Sequence, residues 1–383
     1  MRQKKLRAVF MRGGTSKALI FHRADLPERQ DDWAPIFAAA MGSPDPNGRQ
    51  LDGMGGGVSS LSKVCVVGPP SRADADVDYT FVQMEAASAA ADYSANCGNM
   101  SSAIGPFALD EGLVPLPDGV EAAVRIHNTN TGKIIVSRFA VEDGQAAVDG
   151  DLVLDGVGGS GAPIRLEFLE PGGARTGKLL PTGKGANFLA IPGLGEVEVS
   201  MVDAANPCVF VAASALGMTG AELPADLAKN AGLLARLELI RCHASVAMGL
   251  AATPEAGAKI PSVPKVAMLA APSAAPTLTT RVLTAEDMDI SVRMISIGQP
   301  HQAVPLTGAL CLAAAARVPG SVAWRLLAEA ARSGPLRIGH PSGVVLVDAD
   351  VETTPEGVKI LQGTVYRTAR RLFQGEVFYR APG

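Results

Sequence analysis

Asn96-Cys97-Gly98-Asn99-Met100-Ser101-Ser102-Ala103-Ile104-Gly105-Pro106-Phe107-Ala108 is the stretch around which the chain is organised. A polar, glycine-bearing turn runs into apolar residues at Met100, Ala103, Ile104, Phe107 and Ala108, the i, i+3, i+4, i+7, i+8 spacing of one helical face. The pattern predicts a helix capped by Asn96 or Asn99, stopped by Gly112 and Pro115, and kinked or broken at Pro106. Cys97 then stands at the helix start, where free backbone N–H groups and the positive end of the dipole stabilise a thiolate or an incoming carboxylate. The other reading is a structural cysteine buried in a tight turn. The polar flanks Asn96, Gly98 and Asn99 favour the chemical one.

The chain has 383 residues, more than one domain usually holds, so two domains of roughly 180 residues are expected. Its 47% hydrophobic content comes with only 4% aromatics, which suits close-packed strands and small-residue helix contacts. With a net charge of -4 and no basic run, nucleic acid is not an expected partner. The cysteines at 65, 97, 208, 242 and 311 form no CxxC pair, no even disulfide framework and no zinc pattern, so no metal is expected and the compartment reads as reducing. The basic start, Met1 to Arg7, lacks a signal-peptide core, and apolar runs such as Leu306–Ala316 are too short to span a membrane. A cytoplasmic protein without membrane partners is the expectation.

Outward from the central stretch, Leu6–Met11 and Ala18–Phe21 read as strands flanking Arg12-Gly13-Gly14-Thr15-Ser16-Lys17. The paired glycines let backbone N–H groups converge on an anion, with Arg12, Thr15, Ser16 and Lys17 as further donors, or else the segment is an ordinary hairpin turn. No nucleotide-binding glycine pattern is present. Trp33–Met41 reads as a short helix. The glycine-dense loop Asp52–Lys63 precedes a strand at Val64–Val67. Lys63, at the mouth of that strand, is either a snorkelling surface residue or, desolvated near other cations, a base. Strands follow at Tyr79–Met84, Val124–His127, Ile134–Val141, Leu152–Leu154 and Pro163–Phe168. The glycine- and proline-rich region Leu180–Pro192 sets a boundary between domains 1–185 and 186–383.

The second half repeats the first in order: strands Glu196–Val202 and Cys208–Ala213, a helical stretch Asp226–Met248, strands Val266–Leu269 and Ile290–Ile297, then a polar turn and an all-apolar helix, Leu306–Arg317, that must be buried. Strands Ile338–Val347, Val358–Thr364 and Leu372–Tyr379 close it, the last one free to return to the first domain. A strand-heavy pattern with few helices predicts an α+β fold rather than a doubly wound parallel sheet.

Met11-Arg12-Gly13-Gly14-Thr15-Ser16-Lys17, Asp52-Gly53-Met54-Gly55-Gly56, Ser62-Lys63-Val64, Asn96-Cys97-Gly98-Asn99, Gly105-Pro106-Phe107-Ala108 and Arg367-Thr368-Ala369-Arg370 together resemble the PrpF family across essentially the whole chain. That family includes 2-methylaconitate, 3-methylitaconate and 4-oxalomesaconate isomerases. The resemblance implies the diaminopimelate epimerase-like fold: two pseudo-symmetric domains, each a curled β-sheet around a central helix, with the active site in the cleft between them. In the epimerases each central helix begins with a cysteine. Here the second half reads Pro305-Leu306-Thr307-Gly308-Ala309, so the second thiol is missing, and Cys311 further along is taken as core.

What the resemblance implies for the site is a pair of catalytic residues, Lys63 and Cys97. Substrate would be held by Arg12, Thr15, Ser16, Lys17, Gly98, Asn99 and Met100 in the first half. In the second half the candidates are Asn206, Lys265, His301, Thr307, Gly308, His340 and Ser342. Asn206-Pro207-Cys208 resembles an epimerase Asn-Pro-His turn, while His301 and His340 are carboxylate binders or plain turn histidines. The implied activity is a cofactor-independent allylic 1,3-proton shift in an unsaturated di- or tricarboxylate, with the dienolate held by donors and Lys63 brought toward neutrality by Arg12, Lys17 or helix ends. The small acid is the expected partner, and a homodimer is left open. The alternatives are a non-catalytic accessory protein that binds such acids or an aconitase-like dehydratase, and an amino-acid epimerase, which Pro305 argues against.

Overall fold

The computed structural model describes residues 3–93, 97–296, 298–355 and 357–380. The chain divides into two compact units, Met1–Phe168 with Tyr366–Gly383, and Leu169–Val365. This division falls earlier than residue 185 because the glycine-rich segment is tied into the second unit: Gly173 N–H donates to Asp203 O and Ser200 Oγ to Gly185 O.

In the first unit seven strands succeed one another: Gln3–Gly13, Ser16–His22, Lys63–Gly68, Val77–Met84, Glu121–Asn128, Lys133–Glu142 and Ile164–Leu169. Neighbours pair antiparallel, parallel, antiparallel, parallel, antiparallel and antiparallel. The final strand, Ala369–Arg380, pairs antiparallel with Gln3–Gly13. One helix, Gly98–Asp110, packs against strands as far apart in that order as Gln3–Gly13 and Lys133–Glu142, which requires the sheet to curl around it. The opposite face of Gln3–Gly13, Ser16–His22 and Lys63–Gly68 is covered by the helix Trp33–Met41, which packs Trp33, Phe37 and Met41 against Phe10, Leu19, Phe21, Val64 and Val66.

The second unit repeats this plan. Gly195–Ala204, Asn206–Ala212, Lys265–Ala270, Ile290–Ser296, Leu336–His340, Gly343–Thr354 and Gly357–Arg367 pair in the same sequence of senses. A central helix, Leu306–Ala316, again falls between the fourth and fifth strands, and its residues Gly308–Ala316 are buried. The α+β, internally repeated architecture is therefore written in the hydrogen-bond pattern although the two halves share few letters.

Three local readings differ from the sequence expectation. The central helix runs unbroken through Pro106; the cost of proline in a helix interior, about 3 kcal/mol, is offset because every residue from Met100 to Leu109 is buried. The stretch Asp226–Met248 is two helices, Pro224–Lys229 and Ala231–Ala247, because Asn230 caps the second by accepting from Leu233 N–H. Ile338–Val347 is a hairpin turning at Pro341-Ser342, not one strand.

Candidate active site

Cys97 occupies the cap position of Gly98–Asp110, and Asn99 lies inside the first turn rather than capping it. Asn96 lies outside the described residues. Ser101 N–H donates to Cys97 O, so the helix ladder begins there and leaves the N–H groups of Gly98, Asn99 and Met100 without helical acceptors. The helix end closes at Gly112, whose φ of +68° only glycine adopts readily, with Leu113 N–H donating to Ala108 O. Cys97, Gly98 and Asn99 are partly exposed. The Met100 side chain is fully buried, so only its backbone is available to a ligand.

Lys63 opens its strand opposite Ala18 on one side and Gln83 on the other, and is only 8% exposed. Its ammonium donates to Gln83 Oε1 at 2.5 Å and lies 5.0 Å from the centre of the Phe81 ring. Gln83 is itself fixed, its Nε2 donating to Ser62 O at 2.9 Å and Ser59 O at 3.1 Å. Alternation along the strand puts Lys63 and Cys65 on one face. Burial pushes the Cys65 thiol well up, interaction with Cys97 pushes the same way, and Tyr79 and Lys63 oppose it. Cys65 thus marks the neighbourhood that the two candidate catalytic groups share.

The glycine loop is a two-residue hairpin, Gly14-Thr15, closed by the pair Gly13 and Ser16. A Cβ on Gly13 would come within 2.6 Å of Asn99 O, so this side of the hairpin rests on the central helix. Thr15 Oγ1 accepts from Asn99 Nδ2 at 3.0 Å, which leaves its own O–H to donate, and Ser16 is buried on the same side as Gly13. Arg12 and Lys17 are a correction. They alternate with Gly13 and Ser16 and face the other way: Lys17 Nζ lies 5.7 Å from the centre of the Phe10 ring, and Arg12 Nη1 donates to Gly14 O and Thr368 O. Arg12 braces the hairpin; burial, then Arg370, lowers its pKa. The cations expected beside Lys63 are not these two.

One cation was missed. Arg367 Nε donates to Asn99 Oδ1 at 3.1 Å and Nη1 to its neighbour Tyr366 O at 2.8 Å. Burial lowers its pKa, and interaction with Cys97 opposes that. Asn99 thereby joins the hairpin, the helix start and Arg367. The signal in sequence was the Arg367-Thr368-Ala369-Arg370 match, to which no site role attached.

In the second unit Lys265 opens the third strand opposite Cys208, the topological position that Lys63 holds in the first. Burial lowers the Lys265 pKa, opposed by interaction with Cys208. Burial, then Lys265, lowers that of His301, whose Nε2 is buried without a hydrogen-bond partner among the described residues. Asn206 Nδ2 donates to Pro207 O. Lys265, His301 and Asn206 therefore belong to one end of the second sheet. Thr307 is exposed in the first turn of the second central helix, and Gly308 is buried because Met294 fills the space a Cβ would take, 2.7 Å away. His340 departs from the polar-turn reading, whereas Ser342 lies in the turn. His340 ends a strand, 7% exposed, with Nδ1 accepting from Ser342 N–H, and Ser342 Oγ donates to Gln302 O. Cys311 is core, its thiol donating to Val202 O.

A twice-repeated curled sheet around a central helix, with a thiol at one helix start and a buried lysine at the mouth of a strand, has the diaminopimelate epimerase-like plan. Residues 3–380 match the sequence profile described as PrpF protein, and the chain belongs to that family. It is 40% identical to the 3-methylitaconate isomerase of Eubacterium barkeri over 98% of this chain and 97% of that one. Against the 2-methyl-aconitate isomerase of Shewanella oneidensis the identity is 36%, over 99% and 98%. The crystal structure of a methylitaconate-delta-isomerase superposes with a TM-score of 0.90 at 39% identity, covering 99% of this chain and 96% of that one. Among the described residues no helix is long and apolar enough to cross a membrane.

Proposed function

We propose that this protein is an isomerase that moves a double bond in an unsaturated di- or tricarboxylate by an allylic 1,3-proton shift, with Lys63 carrying the proton. The observation that carries the reading is a lysine only 8% exposed on the sheet face that meets the Cys97-led helix start. The names of its relatives supply the substrate class. An allylic C–H is a weak acid, so removing its proton leaves a dienolate whose charge spreads to the carboxylate oxygens. The N–H groups of Gly98, Asn99 and Met100 and the Thr15 hydroxyl are donors suited to that charge. The free-amine form of Lys63 takes the proton through its nitrogen lone pair, becoming the ammonium, and returns a proton at the far carbon as the electron pair shifts, so atoms and electrons balance without a co-reactant. Cys97 polarises the system or shares the second transfer. The free thiols suit a reducing cytoplasm.

Separate incubation with 2-methylaconitate, 3-methylitaconate, aconitate and 4-oxalomesaconate, followed by absorbance of the conjugated acid and NMR of the product, tests this. Turnover of at least one is expected; binding without conversion of any would mean that the protein only holds such acids.

A further inference from the structure

We propose that Arg367 is the anchor for one carboxylate of the substrate, holding it beside Cys97; this rests on the isomerase reading above. Three observations converge on it. The first is placement. Thr368 O, next in the chain, accepts from both Gly14 N–H and Arg12 Nη1, so the backbone at Arg367 is tied to the hairpin tip. The side chain then runs over Gly14, where a Cβ would lie 3.2 Å from Arg367 Cδ and 2.4 Å from Asn99 Oδ1, and reaches Asn99. Gly14 has a φ of +52° as well, so glycine is needed there both for the turn and for the passage of this arginine.

The second observation is charge. Several arginines drawn into the protein answer to carboxylates, Arg138 to Glu167, Arg241 to Glu238, Arg317 to Asp348 and Arg371 to Glu111, whereas Arg293, 1% exposed, instead gives Nε and Nη1 to Glu222 O, Ser291 Oγ and Val292 O. Among the described residues no Asp or Glu forms an ion pair with Arg367, and the group whose charge would act on it is Cys97. A guanidinium does not shed its proton to escape burial, so this position holds a cation with no carboxylate partner among the described residues, and an anion would complement it.

The third is geometry. A guanidinium offers five N–H donors in a rigid fork. Nε is taken by Asn99 and one Nη1 hydrogen by Tyr366 O, while Nη2 has no hydrogen-bond partner among the described residues. An arm of that kind suits a carboxylate, and Asn99 fixes its direction. Arg367 so placed would take up charge that develops on the carboxylate as the dienolate forms. Its loss is then expected to lower kcat as well as raise KM.

Alkylation of Cys97 gives a test that needs neither turnover nor a known substrate. Cys97 is the partly exposed cysteine of the chain, the other four being buried. Iodoacetate and iodoacetamide attack the same thiolate with loss of iodide, but only the first brings a carboxylate. The expected result is faster labelling by iodoacetate, with the iodoacetate-to-iodoacetamide ratio falling about tenfold in Arg367→Gln and partly restored in Arg367→Lys, which returns the charge without the fork. Taking the ratio within each variant removes any general change in thiol reactivity or folding. In the same variants kcat/KM on the acid that the enzyme turns over should fall by about 10²-fold, in both kcat and KM, and recover in part with lysine. An unchanged ratio in Arg367→Gln, with the wild type isomerising its acid normally, overturns the anchor and leaves the isomerase standing. A lost ratio in a protein that converts no acid supports the anchor while removing the isomerase reading.

Discussion

Replacing Lys63 by methionine tests its proposed role as proton carrier apart from its role in the scaffold. Lys63 contributes one charged hydrogen bond, to Gln83 Oε1, and one ring contact, to Phe81. Their loss costs about 1.5–3 kcal/mol for the hydrogen bond and about 0.5–1 for the ring. Against that, methionine no longer holds an ammonium in a site 8% exposed, and its stem fills nearly the same volume. Gln83 keeps its bonds to Ser59 O and Ser62 O. These terms cancel to within about 1 kcal/mol, a shift of a few degrees at most in Tm for units of this size. The chemical term is larger: loss of a positioned acid–base group costs about 10²–10⁴-fold, or about 3–5 kcal/mol of transition-state stabilisation. Lys63→Arg then distinguishes proton transfer from simple anion binding, since a guanidinium binds carboxylates but does not cycle its proton. Initial rates on the turned-over acid, beside calorimetric melting, measure both quantities. Rates within threefold of wild type in Lys63→Met, or full recovery in Lys63→Arg, would remove Lys63 as the proton carrier. In deuterated water, a single lysine serving both carbons should return some original hydrogen to the distal one, always on the same face. Delivery of deuterium to the opposite face would sink the one-sided shuttle.

Cys97→Ser should slow turnover by about 10²-fold, and a saturated dicarboxylate should protect the wild-type thiol from alkylation; labelling indifferent to the acid would place Cys97 outside the site. Gly105→Ala should destabilise the protein by about 1–2 kcal/mol in urea titration: helix propensity gains about 1 kcal/mol, but the new Cβ would lie 2.5 Å from Ser137 Oγ and 2.8 Å from Phe139 Cε1, and overpacking costs more. At the far end of the same helix, burial pushes Glu111 up, but hydrogen bonds from Arg371 and His22 prevail and hold its pKa below the ordinary value. A depressed carboxylate stabilises the fold above its unfolded pKa and loses that contribution as pH falls through the folded one. Glu111→Gln should therefore cost about 2 kcal/mol at neutral pH and progressively less below about pH 4, and an equal cost at both would contradict the ion-pair account.

The site was legible where its chemistry follows a local period and illegible where it depends on which face of a strand a residue takes. The spacing of Met100, Ala103, Ile104, Phe107 and Ala108 announces the helix, and Cys97 falls at its start by counting alone. The glycines of the first hairpin suggest an anion loop with four donors. The strands nevertheless continue to Gly13 and resume at Ser16, so period-two alternation still governs, and Arg12 and Lys17 turn to the face that Phe10 occupies. Arg367 escaped for the opposite reason: its partner Asn99 is 268 residues away, and nothing local betrays the pairing.

The internal repeat sharpens this distinction between position and chemistry. Strand order and pairing sense are the same in both units, and a lysine opens the third strand in each, Lys63 opposite Ala18 and Lys265 opposite Cys208. The helix starts differ. Cys97 leads one, followed by the polar, partly exposed Gly98 and Asn99; Pro305 leads the other, with no N–H and no thiol, followed by Leu306. A fold that needs only a curled sheet and a buried helix tolerates either residue at the cap, because neither side chain makes a capping hydrogen bond. Packing therefore leaves this position open to be set by chemistry. A cysteine stands at the start of the central helix in the first unit alone, so the two-cysteine pattern of the epimerases is not repeated in this chain. Under the proposed function, the strand-opening Lys63 of the first unit is the group to which an asymmetric proton transfer passes.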